Sequence, residues 1–357
     1  MKETRYRNRR AVQIENDLLR VTVLVEGGHI AEIYHKQAGV NPLWTPPWAS
    51  IEPSTYDRSR HLEYGADAES KLLSGLMGHN LCLDVFGDPS PEEAAAGMTV
   101  HGEASINPYS FEGDATTMLA RTVLQAAQLQ VERQMCLTPG STVVGFTETV
   151  ENLSPLDRPI AWTQHVTLGP PFLETGVTEF RASATRSKVI ESDFTGGQSV
   201  QVTGAEFDWP FCPHKEGGSI DLRTYTAAAV SGGFTTHLMN PEREQAFFLA
   251  YSPRTRVLVG YVWKQADFPW LGRWEENHLR IQPPWDGKTL TCGMEFGASP
   301  MPESRRQMIT RGKLFGVPAY RWIPARSRIQ VNYCAFLTVG PSIPESVRWG
   351  GGHEILL

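Results

Sequence analysis

Residues Leu129 to Val150 read LQVERQMCLTPGSTVVGFTETV. Leu129, Val131, Met135 and Leu137 fall on alternate positions, so they share one face of an extended chain. Pro139-Gly140 turns the chain, and Thr142 to Val150 returns antiparallel. The apolar period is two rather than 3.6, and it recurs to either side. Leu19, Val21, Val23 and Val25 alternate with Arg20, Thr22 and Leu24 before Gly27-Gly28 forces a turn. Ile30 to His35 then resumes as a strand. Asn152-Leu153-Ser154-Pro155 makes another turn, followed by a strand at Ile160 to Leu168. Further strands are expected at Ala246 to Tyr251, Arg256 to Trp263, Thr289 to Phe296 and Ile329 to Val339.

Helical signals are few. Pro302-Glu303 suits the start of a helix running to about Arg311, with Gly312 as its stop. Glu69 to Leu76 and Pro91 to Ala96 each suit a short turn of helix. The segment 44–98 is rich in Pro, Gly and charge and lacks a clear period. It reads as a long ordered excursion across the sheet rather than a separate domain. The expectation is an all-β fold, one large antiparallel domain over residues 1–357.

Composition agrees. The chain of 357 residues holds 32 glycines and 25 prolines, above the usual combined share of about 12%. Many turns between short strands would need them. Hydrophobic residues at 41% and charged residues at 20% suit a globular chain. A formal net charge of −6 argues against partnership with nucleic acid or an anionic membrane surface. The five cysteines (Cys82, Cys136, Cys212, Cys292, Cys334) include no CxxC pair and read as free thiols in a reducing compartment. The charged stretch Met1 to Arg10 leads into no apolar run, so no signal peptide is expected. Apolar runs such as Phe247 to Tyr251 are too short to cross a bilayer. A soluble, cytoplasmic protein is the expectation; oligomeric state has no signature here.

Several chemistries lack their motif. There is no GxGxxG, no GxSxG elbow, no HExxH and no HxH pair with a downstream Glu. Gly287-Lys288-Thr289 mimics the end of a P-loop but lacks the first glycine, and reads as a turn before a strand.

Two strands carry polar side chains on an otherwise small-residue face. Over Leu290 to Gly297, alternation puts Leu290, Cys292, Met294 and Phe296 on a core face. Thr291, Gly293, Glu295 and Gly297 lie on the other. Interior strand glycines often mark the close approach of a ligand or another backbone. Over Ile160 to Leu168, Ala161, Thr163, His165 and Thr167 share a face, and Ile160, Trp162, Gln164, Val166 and Leu168 share the opposite one. His101-Gly102-Glu103 supplies a second imidazole. Taken alone, each has a plainer explanation: an edge acid, a satisfied structural histidine, a loop histidine. Together, two imidazoles and a carboxylate suit acid–base catalysis on a polyol, where one group takes a hydroxyl proton and another gives one. The run Asp267-Phe268-Pro269-Trp270-Leu271-Gly272-Arg273-Trp274-Glu275-Glu276-Asn277 offers aromatic and polar contacts for a sugar. A Trp-anchored hairpin is its plainer alternative.

Five segments taken in order carry a resemblance. They are Glu15 to Val23 with Glu26-Gly27-Gly28-His29-Ile30; Val100-His101-Gly102; Trp162 to Leu173; Phe268 to Trp274; and Gly293-Met294-Glu295-Phe296-Gly297. They resemble the aldose 1-epimerase (galactose mutarotase-like) superfamily over nearly the whole chain. The resemblance implies a β-supersandwich with a small-molecule sugar held on its concave side. It also implies roles: Glu295 removes the proton of the anomeric hydroxyl, His165 protonates the ring oxygen, and His101 holds that oxygen or a neighbouring hydroxyl. Neither metal nor organic cofactor is implied, because each step is a proton transfer.

There are departures. The family's arginine before the first histidine has no counterpart; the comparable stretch reads Gly78-His79-Asn80-Leu81-Cys82-Leu83-Asp84. Its Asp-His element for the distal hydroxyls is also missing. His79, Asn80, Asp267, Trp270 and Glu275 are therefore the substrate-binding candidates. Arg58, Arg60 and Arg273 would serve a phosphorylated sugar, and an ion between His79, His101 and His165 stays open. The expected activity is an isomerase interconverting sugar anomers. The alternatives are a non-catalytic carbohydrate-binding protein on the same scaffold and an enzyme cleaving a sugar polymer.

Overall fold

The computed structural model describes residues 1–357. Two antiparallel sheets, of twelve and eight strands, face each other. Five strands of the larger sheet matter most: β1 (His79–Asp84), β2 (Arg158–Leu168), β3 (Ser231–Met239), β4 (Trp270–Asn277) and β5 (Leu290–Gly297). They lie side by side in the order β1-β2-β5-β4-β3. The amino-terminal strands Lys2–Tyr6, Arg9–Glu15, Leu19–Leu24 and Ile30–His35 extend the sheet beyond β1, and Ala184–Val189 and Glu206–Asp208 extend it beyond β3. The smaller sheet includes Thr117–Leu124, Leu129–Leu137, Val143–Asn152, Arg328–Val339, Val257–Lys264 and Gln245–Ser252.

The alternation read from the sequence builds the interior. Leu129, Val131, Met135 and Leu137 are buried on one face of their strand, which pairs with the next so that Met135 sits opposite Phe146. From the other sheet, Val21, Leu81, Trp162, Val166, Met294 and Phe296 meet them in one apolar cluster. Full burial of each such side chain contributes about 1.5–3 kcal/mol, which is why a period-two pattern fixes which face turns inward.

Two expectations need correction. The late helix begins at Arg305, not at Pro302. Ser304 is its cap: Ser304 Oγ accepts from the Gln307 amide, and Gln307 Oε1 accepts from the Ser304 amide (3.1 Å). That reciprocal bonding satisfies two otherwise unpaired helix-end donors. Gly312, at φ 66°, ends the helix as expected. The segment 44–98 is not an excursion throughout, because it contains β1, a central strand. All six residues of β1 are buried. Its alternation is only six residues long, Leu81 and Leu83 against Asn80, Cys82 and Asp84, and it lies within a stretch rich in Pro, Gly and charge that hides so short a period.

The outer face of the large sheet is covered too. Trp44, Leu72, Leu73, Leu76, Val100, Ile106 and Trp285 form an apolar cluster there. Cys82, Phe86, Ala161, Phe234, Leu238 and Trp270 belong to another. The pocket described next opens between these patches.

Candidate active site

β2 and β5 run antiparallel with His165 directly opposite Glu295. Facing residues of paired strands point the same way, so the two side chains meet: His165 Nε2 lies 3.1 Å from Glu295 Oε1. The other ring nitrogen, Nδ1, lies 2.9 Å from Thr167 Oγ1, which shares the same face. Gly293 leaves the carboxylate its space. A Cβ at that position would stand 2.3 Å from Glu295 Oε1. The close approach that this glycine permits is therefore by Glu295 itself.

His101 comes from the turn after Val100, at φ 61°, and its ring centroid lies 5.0 Å from that of His165. Asn80 on β1 donates from Nδ2 toward His101 Nδ1 (3.4 Å) and to Ser105 Oγ (3.2 Å). With Nδ1 accepting, the ring proton of His101 belongs on Nε2. Burial governs the charge states. It pushes the Glu295 carboxyl up to about 8 and holds His165 well below the ordinary imidazole range, with His101 adding to the effect. His101 is lowered to about 4, first by burial and then by Arg280.

These three side chains line a cavity of about 210 Å³, at the small end for ligand sites. Phe86, Phe234, Trp274 and Trp285 wall it, and Glu69, Asp88, Phe194 and Arg280 stand among its lining residues. Trp274 meets the His165 ring edge-on at 6.0 Å. Arg280 lies over Trp285, 4.7 Å from the ring centre. It pairs with Glu69 (3.2 Å) and Glu276 (3.5 Å). Glu276 also accepts from the amides of Leu279 and Arg280, both at 2.9 Å, pinning the loop that presents Arg280.

Of the residues singled out from the sequence, Glu295, His165 and His101 converge, and Asn80 supports His101 from behind. Four others do not reach the cavity. His79 alternates onto the opposite face of β1 with Leu81 and Leu83, where Nε2 meets Gln164 Oε1 at 3.0 Å and Nδ1 meets Tyr261 OH at 3.3 Å. An ion shared by His79, His101 and His165 is thus ruled out by the sheet between them, and nowhere are three His, Cys, Asp or Glu side chains gathered to hold a metal. Glu275 faces the interior, bound to Ser231 and to Arg273 (3.1 Å). Trp270 is fully buried in an apolar cluster and donates to the Pro318 carbonyl at 3.0 Å. Asp267 pairs with Arg321 at 3.4 Å. Nor do the phosphate candidates line the cavity. Arg273 is buried beneath Phe180 and Tyr225, and Arg58 and Arg60 are exposed elsewhere.

Sequence reasoning included Trp274 only within the run Asp267 to Asn277 without singling it out, and missed Arg280, Trp285, Glu69 and Asp88. Alternation held a signal for part of this. Gly272 lies opposite Glu295, so Trp274 and Glu276 share the site's face, and Glu275 does not.

No protein-family model matches the chain, and no curated protein matches it in sequence. Solved structures do match in shape. A candidate aldose 1-epimerase from Klebsiella pneumoniae subsp. pneumoniae MGH 78578 superposes with a TM-score of 0.68 at 16% identity, covering 94% of this chain and 80% of that one. A galactose mutarotase-like protein from Clostridium acetobutylicum gives 0.60 at 14% identity, covering 95% and 98%. The Slr1438 protein from Synechocystis sp. PCC 6803 gives 0.61 at 13%, covering 95% and 100%. At such low identities the likeness speaks for architecture alone, and the architecture is the galactose mutarotase-like β-supersandwich.

Proposed function

We propose that the protein interconverts the α and β anomers of a free aldose. One observation carries this reading: a buried carboxylic acid and a buried imidazole in contact at 3.1 Å on the floor of a cavity walled by aromatic rings. An aldose changes anomer by opening its ring. The anomeric hydroxyl loses its proton as the bond from the anomeric carbon to the ring oxygen breaks, and that oxygen gains a proton. The open-chain aldehyde turns about its bond to the second carbon, and the reverse steps close the ring on the other face. The chemistry asks for one base, one acid and no net proton.

The Glu295–His165 pair meets that requirement. Burial favours the neutral form of each partner, so across neutral pH the pair holds one exchangeable proton between them. Moving that proton along the 3.1 Å contact gives a carboxylate base and an imidazolium acid without changing the total charge. Sugar hydroxyls donating to Glu295 favour this arrangement, because hydrogen bonds to a carboxylate stabilise its ionised form. Glu295 then accepts the anomeric proton and His165 delivers one to the ring oxygen. His101, neutral and protonated on Nε2, donates to a substrate oxygen. Trp274 and Trp285 offer faces to the C–H side of the ring. Proton transfer by positioned groups contributes typically 10²–10⁴-fold.

Polarimetry on freshly dissolved α-anomers of several aldoses tests the proposal. Catalysed relaxation is expected for at least one sugar and lost on His165→Asn. A protein that binds sugars yet leaves every relaxation at its buffer rate would instead be a carbohydrate-binding module.

A further inference from the structure

We propose that the sugar selected by this cavity carries a protonated amine rather than a phosphate or a carboxylate. The inference rests on the sugar-site reading above and adds the substrate's charge. Arg280 is the only cation lining the cavity, and it faces two carboxylates, Glu69 at 3.2 Å and Glu276 at 3.5 Å, besides lying over the Trp285 ring. An anionic substituent entering the cavity would have to compete with both carboxylates for that guanidinium. It would also meet Asp88, which lines the same cavity, makes no ion pair within 4 Å and has Arg280 and then Asp67 as its charged neighbours. The other arginines suited to phosphate are placed elsewhere: Arg273 in the interior and Arg58 and Arg60 away from the lining.

An ammonium group finds the opposite surroundings. Asp88 is exposed and makes no ion pair within 4 Å, with Arg280 as its cationic neighbour. Phe86, Phe194, Phe234, Trp274 and Trp285 contribute aromatic rings to the lining, and the negative face of such a ring attracts a cation. Arg280 shows the preference at work, with the guanidinium within 5.9 Å of the Phe194, Trp274 and Trp285 ring centres. Two kinds of group, one unpaired carboxylate and a set of rings, thus favour positive charge, and the one available positive group is already engaged.

The test compares glucosamine, galactosamine and mannosamine with their parent hexoses, the hexose 6-phosphates and the hexuronic acids. Binding is read by titration calorimetry and anomer exchange by NMR, at about pH 6.5. For the best amino sugar, affinity is expected to exceed that of its parent hexose by about fivefold or more, the scale of a cation–π contact plus one ion pair. Phosphates and uronates are expected to bind more weakly than the parent. Asp88→Asn is expected to bring the amine-to-parent affinity ratio down toward one. A phosphate or uronate that outbinds the parent, or an amine-to-parent ratio of one or less for all three sugars, overturns the proposal. Tight binding of an amino sugar without anomer exchange would uphold this charge selection and defeat the isomerase reading, so the two fail separately.

Discussion

Glu148, on Val143–Asn152 of the smaller sheet, and Glu295, on β5, bond to side chains on opposite faces of β2, and both are buried, at 0% and 3% exposure. Their surroundings differ. Glu148 accepts from Arg133 Nε (2.6 Å), Trp162 Nε1 (2.5 Å) and Gln164 Nε2 (2.7 Å). Gln164 in turn accepts from Arg133, and Tyr333 donates to it. Every strong partner that a carboxylate wants is supplied by the protein. Glu295 has only His165, itself neutral, and is pushed up to about 8 by burial. The first carboxylate is spent on holding two sheets together. The second is left short of hydrogen bonds, and a substrate hydroxyl can supply them. On the proposed reading, that contrast separates a structural buried charge from one poised for chemistry.

The sharpest way to break the comparison is to neutralise each acid in turn. Glu295→Gln is expected to lower kcat/KM for anomer interconversion by about 10³-fold or more, while the midpoint of urea unfolding stays or rises, since a poorly solvated acid is removed. Glu148→Leu is expected to do the reverse. Arg133 would be left buried and unpaired, at a cost of about 3–5 kcal/mol in unfolding free energy. Adding Arg133→Met should restore much of that loss. An unfolding curve unchanged by Glu148→Leu would remove the distinction between the two acids.

The pH dependence sharpens the same point. The working pair carries one proton. Above about pH 8 that proton leaves Glu295, so kcat/KM is expected to fall about tenfold per unit there. It should also fall in acid, where His165 takes up a second proton and no base remains. A profile that keeps rising through pH 9 would contradict the one-proton state. Stability follows with its own sign. Glu295 in the folded chain binds its proton more tightly than in the unfolded chain. Its contribution is therefore fully present below about 4.5, the ordinary carboxyl value, and is lost as pH rises to about 8. In Glu295→Gln this alkaline-going decline should flatten, as urea midpoints across that range will show. The smallest effect concerns the wall. Trp274→Ala is expected to raise KM about tenfold with kcat within a few-fold, because a stacking face serves ground and transition states alike.

The alternation that made the fold legible also explains where reading stopped. Strands such as Leu129–Leu137 show their inner face because their outer face is partly polar. β1 is a six-residue strand set in a Pro-, Gly- and charge-rich stretch, and without a strand there nothing showed that His79 and Asn80 face opposite ways. Glu295 and His165 were legible because glycine and threonine neighbours marked their faces, and the antiparallel pairing then set them opposite each other. Asp267, Trp270 and Glu275 were drawn in by nearness along the chain to an aromatic-rich strand. One step of register sends Glu275 inward, and a few residues' distance along β4 leaves Trp270 in an apolar patch that reaches the cavity only through Phe86 and Phe234. Arg280 and Trp285 sit in the loop between β4 and β5, and Glu69 sits near a short helix. No periodicity brings such residues together; only the packing of loop against helix does.

Exchange spectroscopy at equilibrium tests the central claim most directly. An aldose at anomeric equilibrium, with protein at about neutral pH, is expected to show exchange cross-peaks between its α and β anomeric protons that vanish with Glu295→Gln and persist with Trp274→Ala at high sugar concentration. Cross-peaks of equal intensity for the wild type and Glu295→Gln would contradict the account.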